Sequence, residues 1–129
     1  MKNKVLVIEE DFIISLTFKK FNKKDFPNIG FESFPTSKDL EQRISNKGFE
    51  NVATLVLDNP SFKEYIVNKN QGDKLNSLKI PYILHNALGL HEGRKAVKEY
   101  GALASMEKPV TRKEYFNNID KALRYFSKK

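Results

Sequence analysis

The sequence predicts an α/β domain with a doubly wound, five-stranded parallel sheet. Short apolar runs alternate along the chain with stretches of helical spacing, an alternation typical of βα units around a parallel sheet. In most of these runs apolar residues follow one another without interruption, as expected for strands buried on both faces. For five such units the common strand order is 2-1-3-4-5. We expect the strands at residues 4–8, 29–34, 52–57, 80–84 and 102–107.

Three of the intervening helices begin at residues suited to cap a helix N-terminus. Asp11 precedes the first helix, Thr36 the second and Thr111 the last. Their side-chain oxygens can accept hydrogen bonds from backbone N–H groups of the first helical turn. Gly48 and Gly101 follow the second and fourth helices, where glycine is favoured because it tolerates the left-handed conformation. These signals predict the bounds of most of the helices.

The remaining segments carry weaker signals. Residues 62–66 have the spacing of a third helix, whereas the polar run 68–77 predicts a loop. Two glycines in residues 86–93 predict a mobile loop that leads into a short fourth helix at 94–100. Phenylalanines at helical spacing, such as Phe12 and Phe18 in the first helix, are predicted to be core residues.

The composition indicates one domain and excludes several kinds of site. With 129 residues, 40% of them hydrophobic, the chain has the size of one domain, residues 1–129, and we expect no attached output domain. It has no cysteine, which excludes disulfides and thiolate metal sites. No apolar run is long enough for a transmembrane helix or a signal peptide, which agrees with a cytoplasmic location and no membrane insertion.

Four polar residues follow directly on predicted strands. Glu9 and Glu10 come after the first strand, Asp58 after the third, and Lys108 closes the fifth. Parallel strands present their carboxyl ends at one edge of the sheet, and ligands bind there at the switch point between strands 1 and 3. We therefore expect three carboxylates and one ammonium group at one rim. Carboxylate oxygens suit Mg²⁺ and a positive charge stabilises phosphoryl oxygens, so the pattern predicts a divalent-cation and phosphoryl site.

Four segments of the chain also carry a family resemblance. They read KVLVIEED at 4–11, LVLD at 55–58, IPYILHNA at 80–87 and GALASMEKP at 101–109. In this order and at this spacing they resemble the receiver domains of two-component response regulators, of the chemotaxis-regulator-like kind, over nearly the whole chain. The resemblance implies the flavodoxin-like (βα)5 receiver fold.

The resemblance implies a role for each residue of the rim. Asp58 would be the phosphoacceptor, which takes a phosphoryl group from a histidine kinase or a phosphotransfer protein. Glu9 and Glu10 would hold Mg²⁺ together with Asp58. Lys108 would pair with the phosphoryl oxygens, and Asn86 occupies the place of the hydroxyl residue that contacts them. Beyond catalysing its own phosphorylation, such a domain is not an enzyme.

The resemblance also implies how such a domain communicates. A downstream protein would dock on the face that the family forms from its fourth helix, fifth strand and fifth helix, the family's α4-β5-α5 face. In this chain that face corresponds to residues 94–107 and to the helix after Thr111. Dimerisation remains open.

Four positions depart from the family pattern. Glu10 stands where Asp is usual, and Mg²⁺ tolerates little change of ligand geometry. Asn86 replaces a Ser or Thr, and Ser105 replaces an aromatic residue, so the groups of the usual switch are missing. Pro60 comes two residues after Asp58, where the family usually has it four residues after. A degenerate receiver that is not phosphorylated and acts as a protein-binding module is therefore an open alternative.

The positive charge supports a third interpretation, a nucleic-acid-binding domain. The net charge is +7, but the basic residues are dispersed over the first and last helices, which favours a solvated surface.

The two histidines, His85 and His91, lack clustered Cys or His partners. They are predicted to be structural or surface residues and not zinc ligands.

Overall fold

The five strands form one parallel sheet in the order β2-β1-β3-β4-β5. The computed structural model of the protein describes residues 2–87, 89–107 and 109–125, with residues 86 and 87 described as backbone only. The predicted fold class and strand order are confirmed. The strands are β1 (Lys4–Ile8), β2 (Gly30–Phe34), β3 (Val52–Leu57), β4 (Tyr82–Ala87) and β5 (Ala104–Glu107).

The predicted helix caps are also confirmed. The side chain of Asp11 accepts hydrogen bonds from the backbone N–H groups of Ile13 and Ile14, and Thr36 and Thr111 each cap a helix in the same way. None of the helices in the described ranges is long and apolar enough to cross a membrane. The helices are α1 (Phe12–Asp25), α2 (Ser37–Lys47), α3 (Asn59–Phe62) with a π-helical continuation (Lys63–Asn68), α4 (Gly72–Ser77), α5 (Leu90–Lys98) and α6 (Arg112–Arg124).

Two predicted loops are wrong in part. The run 68–77 contains α4, which the sequence signals missed because a single apolar residue, Leu75, anchors it and is fully buried. The predicted loop 86–93 is shortened at both ends, since β4 continues to Ala87 and α5 begins at Leu90. Gly93 signalled a loop in the sequence, but it is buried within α5, where a residue without a side chain allows close packing.

Side chains alternate between two buried faces of the sheet, each with its own cluster. Val5 and Val7 of β1 point to one face, and Leu6 and Ile8 point to the other. The α1–α6 face contains Val5, Val7, Phe18, Phe26, Val56, Ile83, Met106, Tyr115, Ile119 and Ala122. The α2–α5 face contains Leu6, Ile8, Leu40, Val52, Leu55, Leu57, Phe62, Tyr65, Ile66, Leu75, Ile80, Tyr82, Leu84, Ala96 and Ala102.

The prediction that the phenylalanines of α1 are core residues is right for Phe18 and wrong for Phe12. Phe18 is buried in the α1–α6 face, whereas Phe12 is 71% exposed and its neighbour Ile13 is 69% exposed. At 3.6 residues per turn, both lie about 120–140° from Phe18 around the helix axis. The first turn of α1 therefore presents apolar side chains to solvent, at the same end of the sheet as Asp11.

Candidate functional site

Asp58 lies at the carboxyl end of β3 and is held there by the backbone. Its N–H donates to the carbonyl oxygen of Ile8 at 3.1 Å, which joins it to the end of β1. Its carboxylate accepts one hydrogen bond on each oxygen: Oδ1 from the N–H of Ser61 at 3.0 Å and Oδ2 from the N–H of Glu10 at 2.9 Å. The residue is only 1% exposed. The backbone therefore fixes the orientation of the carboxylate at the switch point of the sheet.

The two glutamates after β1 have different environments. Glu9 is buried, its N–H donates to the carbonyl oxygen of Phe34 at 2.9 Å, and its Oε2 accepts from the N–H of Asp11 at 2.7 Å. Glu10 is exposed, and its backbone rather than its carboxylate contacts Asp58. The structure therefore brings Glu9, Glu10 and Asp58 together, with one carboxylate directed to solvent and two held in the rim.

A residue that the sequence analysis did not assign to the site also contacts Glu9. The Nε2 atom of His85 lies 3.1 Å from Oε1 of Glu9, and the histidine is 1% exposed. The alternation of side chains along β1 and β4 could have predicted this contact. His85 lies two residues after Ile83, and Glu9 lies two residues after Val7, so all four are directed to the α1–α6 face.

The likeness to solved structures identifies the fold. A response regulator receiver domain protein from Clostridium thermocellum matches with a TM-score of 0.73 and 18% identity over 96% of each chain. A response regulator receiver protein from Burkholderia phymatum matches with a TM-score of 0.76 and 16% identity over 95% of each chain. The signal receiver domain of an HD domain-containing protein from Pseudomonas fluorescens Pf-5 matches with a TM-score of 0.71 and 14% identity over 97% of each chain. This chain has the receiver fold.

Sequence comparisons add nothing to this result. No protein-family model matches the chain, and no curated protein matches it. At 14–18% identity, the structural likeness establishes the receiver fold and leaves the role of each rim residue as a prediction.

Two residues predicted for the site lie outside the described part of the chain, one completely and the other in its side chain. Lys108 lies outside the described residues, as does the side chain of Asn86, whose backbone belongs to β4. Ser105, in the place of the family's aromatic residue, pairs with Leu84 across the β4–β5 ladder and is partly buried. The predicted roles of these residues remain untested.

Pro60 fits the local structure of this receiver fold. Helix α3 begins directly after Asp58, which caps it, and Pro60 lies in its first turn. Proline is favoured there because the first N–H groups of a helix have no partner within the helix. The departure from the usual proline spacing therefore accompanies a helix that starts immediately after the carboxylate.

The rim carboxylates suit Mg²⁺ in their chemistry. Mg²⁺ prefers oxygen ligands and usually keeps several waters, so one or two protein carboxylates are enough to bind it. Each oxygen of Asp58 accepts one N–H and retains a second lone pair. Among the described residues, however, no group of three or more acidic, histidine or cysteine side chains is already gathered around one point. The carboxylate oxygens are therefore of the kind that Mg²⁺ prefers. Because the side chain of Glu10 is exposed, it has the freedom to join the other carboxylates as a ligand.

Proposed function

We propose that the protein is a receiver that accepts a phosphoryl group on Asp58 from a histidine kinase or a phosphotransfer protein, in a Mg²⁺-dependent reaction. The observation that carries this proposal is the carboxylate of Asp58, fixed by two backbone N–H groups beside Glu9 and Glu10. A single carboxylate held at the end of a central strand, in a receiver fold, has the geometry of a preorganised nucleophile.

The chemistry of transfer follows from this arrangement. An oxygen of Asp58 attacks the phosphorus atom of a phosphohistidine, the P–N bond breaks, and the product is an acyl phosphate on Asp58. Glu9, Glu10 and Asp58 would hold Mg²⁺, which supplies positive charge against the phosphoryl oxygens. Lys108, which follows β5 in the sequence, would add a second positive charge at the same rim.

Phosphorylation of Asp58 is tested with a small phosphodonor. Incubation with acetyl phosphate and Mg²⁺ should give a mass gain of one phosphoryl group, which disappears on addition of EDTA. Asp58→Asn should abolish the gain, because an amide is not a nucleophile. Asp120→Asn, at a partly exposed position of α6 where the carboxylate pairs with Arg124, is the matched control and should leave the gain unchanged. A phosphoprotein that still forms in Asp58→Asn would contradict the assignment.

The exposed first turn of α1 gives the phosphodonor protein a surface. Phe12 and Ile13 follow directly on the rim residues 9–11, so a protein that delivers a phosphoryl group to Asp58 must approach this turn. Exposed apolar side chains beside a site favour association with a partner. For output, we propose the face formed by α5, β5 and α6, where Leu90 and Val97 of α5 are also exposed.

The contribution of the first turn of α1 to docking is measured by comparing phosphorylation by a kinase with phosphorylation by acetyl phosphate. Replacing Phe12 and Ile13 together by alanine should slow phosphorylation by a purified cognate kinase roughly tenfold, because an apolar contact of about 1.4 kcal/mol is lost. The rate with acetyl phosphate should stay within about twofold of wild type, since the carboxylate is untouched. Leu78→Ala, an exposed leucine after α4, is the control. Equal slowing with both donors would indicate damage to the site and refute docking at α1.

The alternative function is a degenerate receiver that binds a protein without phosphorylation. Ser105 in β5 favours it, because the ring that usually reports phosphorylation is missing at a partly buried position. In that case a captured partner should bind wild type and Asp58→Ala with the same affinity. A phosphorylation-dependent change in that affinity would exclude this alternative.

A further inference from the structure

His85 lies inside the core beneath the rim, and none of the roles proposed above uses it. Its ring is buried and packs edge-on against Phe18, with 5.1 Å between the ring centroids. Its neighbours in β4, Ile83 and Leu84, are buried aliphatic residues. A buried polar ring in such surroundings is destabilising unless its nitrogen atoms are engaged, so its contacts require an explanation.

The Nε2 atom of His85 lies close to two oxygen atoms. The carbonyl oxygen of Ile8 lies at 3.3 Å in hydrogen-bond geometry, and Oε1 of Glu9 lies at 3.1 Å, within ion-pair distance. A backbone carbonyl can only accept, so a hydrogen bond between Nε2 and Ile8 requires the hydrogen on Nε2. The proton position on the ring is therefore set by the end of β1.

The carboxylate of Glu9 is held from its other side as well. Its Oε2 accepts a 2.7 Å hydrogen bond from the N–H of Asp11, the residue that caps α1. With one oxygen against the histidine and one against this amide, both ends of the carboxylate are positioned by the protein itself. The histidine contact comes from the core and the amide contact from the loop.

We propose that His85 is a positioning residue, which holds the Glu9 carboxylate from inside the core and thereby sets the affinity of the rim for Mg²⁺. The cation part of this inference rests on the proposed function, which makes Glu9 a ligand. Groups that orient a metal ligand typically change metal affinity 10- to 100-fold when they are removed. The contact also accounts for a histidine at a position of β4 that is otherwise suited to an aliphatic side chain.

Three variants separate positioning from simple core packing. His85→Met fills the volume without an N–H donor, and His85→Gln returns a donor close to the position of Nε2. Met106→Leu is the packing control, because Met106 is fully buried, lies on the same face and is the register partner of His85 in β5.

The first measurement is made without metal, by ¹H–¹⁵N NMR. The Asp11 amide proton should lie downfield in wild type because it donates a short hydrogen bond to an anion. It should move upfield in His85→Met and keep its wild-type position in His85→Gln and Met106→Leu. Long-range spectra of the wild-type ring should show the His85 proton on Nε2. An Asp11 amide that is unmoved in His85→Met, or a His85 ring protonated only on Nδ1, would overturn the positioning role.

The second measurement is the Mg²⁺ affinity, followed through the same resonances. His85→Met should bind Mg²⁺ at least about tenfold more weakly than wild type, whereas His85→Gln should stay within about threefold. Unchanged affinity in His85→Met overturns the cation part of the inference. Wild type without any Mg²⁺ affinity would overturn that part together with the Mg²⁺ dependence of the proposed function, while the Asp11 amide still decides the positioning role on its own.

Should His85→Met fail to fold, the reciprocal variant Glu9→Gln gives the decision. Replacing the carboxylate by an amide weakens the contact to Nε2, so the ¹⁵N shifts of the His85 ring should change. His91, which is exposed on α5, should keep its shifts and serves as the internal control. An unchanged His85 ring in Glu9→Gln would overturn the proposal.

Discussion

The two faces of the sheet differ in the hydrogen bonding of their buried tyrosine hydroxyls. On the α2–α5 face, the buried hydroxyl of Tyr82 donates a hydrogen bond to the carbonyl oxygen of Tyr100. On the α1–α6 face, the hydroxyl of Tyr115 and the amide of Asn22 are buried without a hydrogen bond of normal geometry among the described residues. Burial raises the pKa of Tyr115, and the nearby Asn22 amide offsets part of this rise.

The face with the buried polar groups is also the one beneath the candidate site. Strand alternation directs Glu9 and Asp58 to the same side of the sheet as Val7 and Val56, and His85 lies there too. The α1–α6 face therefore contains the buried side chains beneath the rim, while the larger apolar cluster of the α2–α5 face reaches the site through the backbone of Ile8 and through α3. The comparison predicts that the free energy of unfolding depends mainly on the α2–α5 face and that function depends mainly on the α1–α6 face.

The largest expected effect is on the α2–α5 face. Leu55 is fully buried there, and Leu55→Ala should lower the free energy of unfolding by about 2–5 kcal/mol, because the substitution leaves a cavity. Val56→Ala, one residue further on and directed to the α1–α6 face, should have the smaller effect. Urea denaturation measures both, with the exposed Leu90→Ala as the control. A larger loss for Val56→Ala would reverse the comparison.

A matched pair of hydroxyl deletions should give a smaller effect. Tyr82→Phe removes a hydrogen bond and leaves the carbonyl of Tyr100 without its donor, which should destabilise by about 0.5–1.5 kcal/mol. The hydroxyl also fills the space between Gly72 and Gly101. Tyr115→Phe should have a smaller effect, since its hydroxyl lies near the Asn22 amide but makes no hydrogen bond of normal geometry among the described residues. Thermal unfolding of the two variants measures the difference, and equal losses would remove this distinction between the faces.

The smallest effect should come from the ion pairs at the edges of the two faces. Arg43 of α2 hydrogen-bonds Glu32 of β2 at 3.0 and 3.1 Å and holds the pKa of Glu32 below its ordinary value of 4.5. Arg112 of α6 likewise holds the pKa of Asp25 in α1 below its ordinary value of 3.8. Because a lowered folded pKa stabilises only the ionised form, each contribution is present above the ordinary value and lost as the pH falls through the folded value.

Acid titration of the unfolding free energy tests these pairs. The side chains of Arg43 and Glu32 are 6% and 29% exposed, and those of Arg112 and Asp25 are 47% and 13% exposed, so solvent reaches the second pair more through its arginine. Glu32→Gln should therefore flatten the acid limb of the stability curve more than Asp25→Asn does. The opposite order would show that exposure does not govern the strength of these two pairs.

Much of the fold could be predicted because its signals are local. The strand of residues 52–57 and the carboxylate of Asp58 after it are adjacent in the sequence, and so are Asp11 and the helix it caps. The rim followed because parallel strands must place their carboxyl ends together. Helix α4 could not be predicted, since Leu75 alone anchors it and only its burial by other segments makes a polar run helical.

Local sequence patterns predict the strands, the caps and the carboxylates at the strand ends, because strand period and capping chemistry act over a few residues. Which side chains meet across the rim depends on the assembled sheet, because such contacts join residues far apart in the chain. Glu9 and His85 are 76 residues apart in the chain, and their contact depends on the register of β1, β3 and β4 together. The exposure of Phe12 was decided in the same way, since the side of α1 that packs on the sheet depends on how the whole helix lies against it.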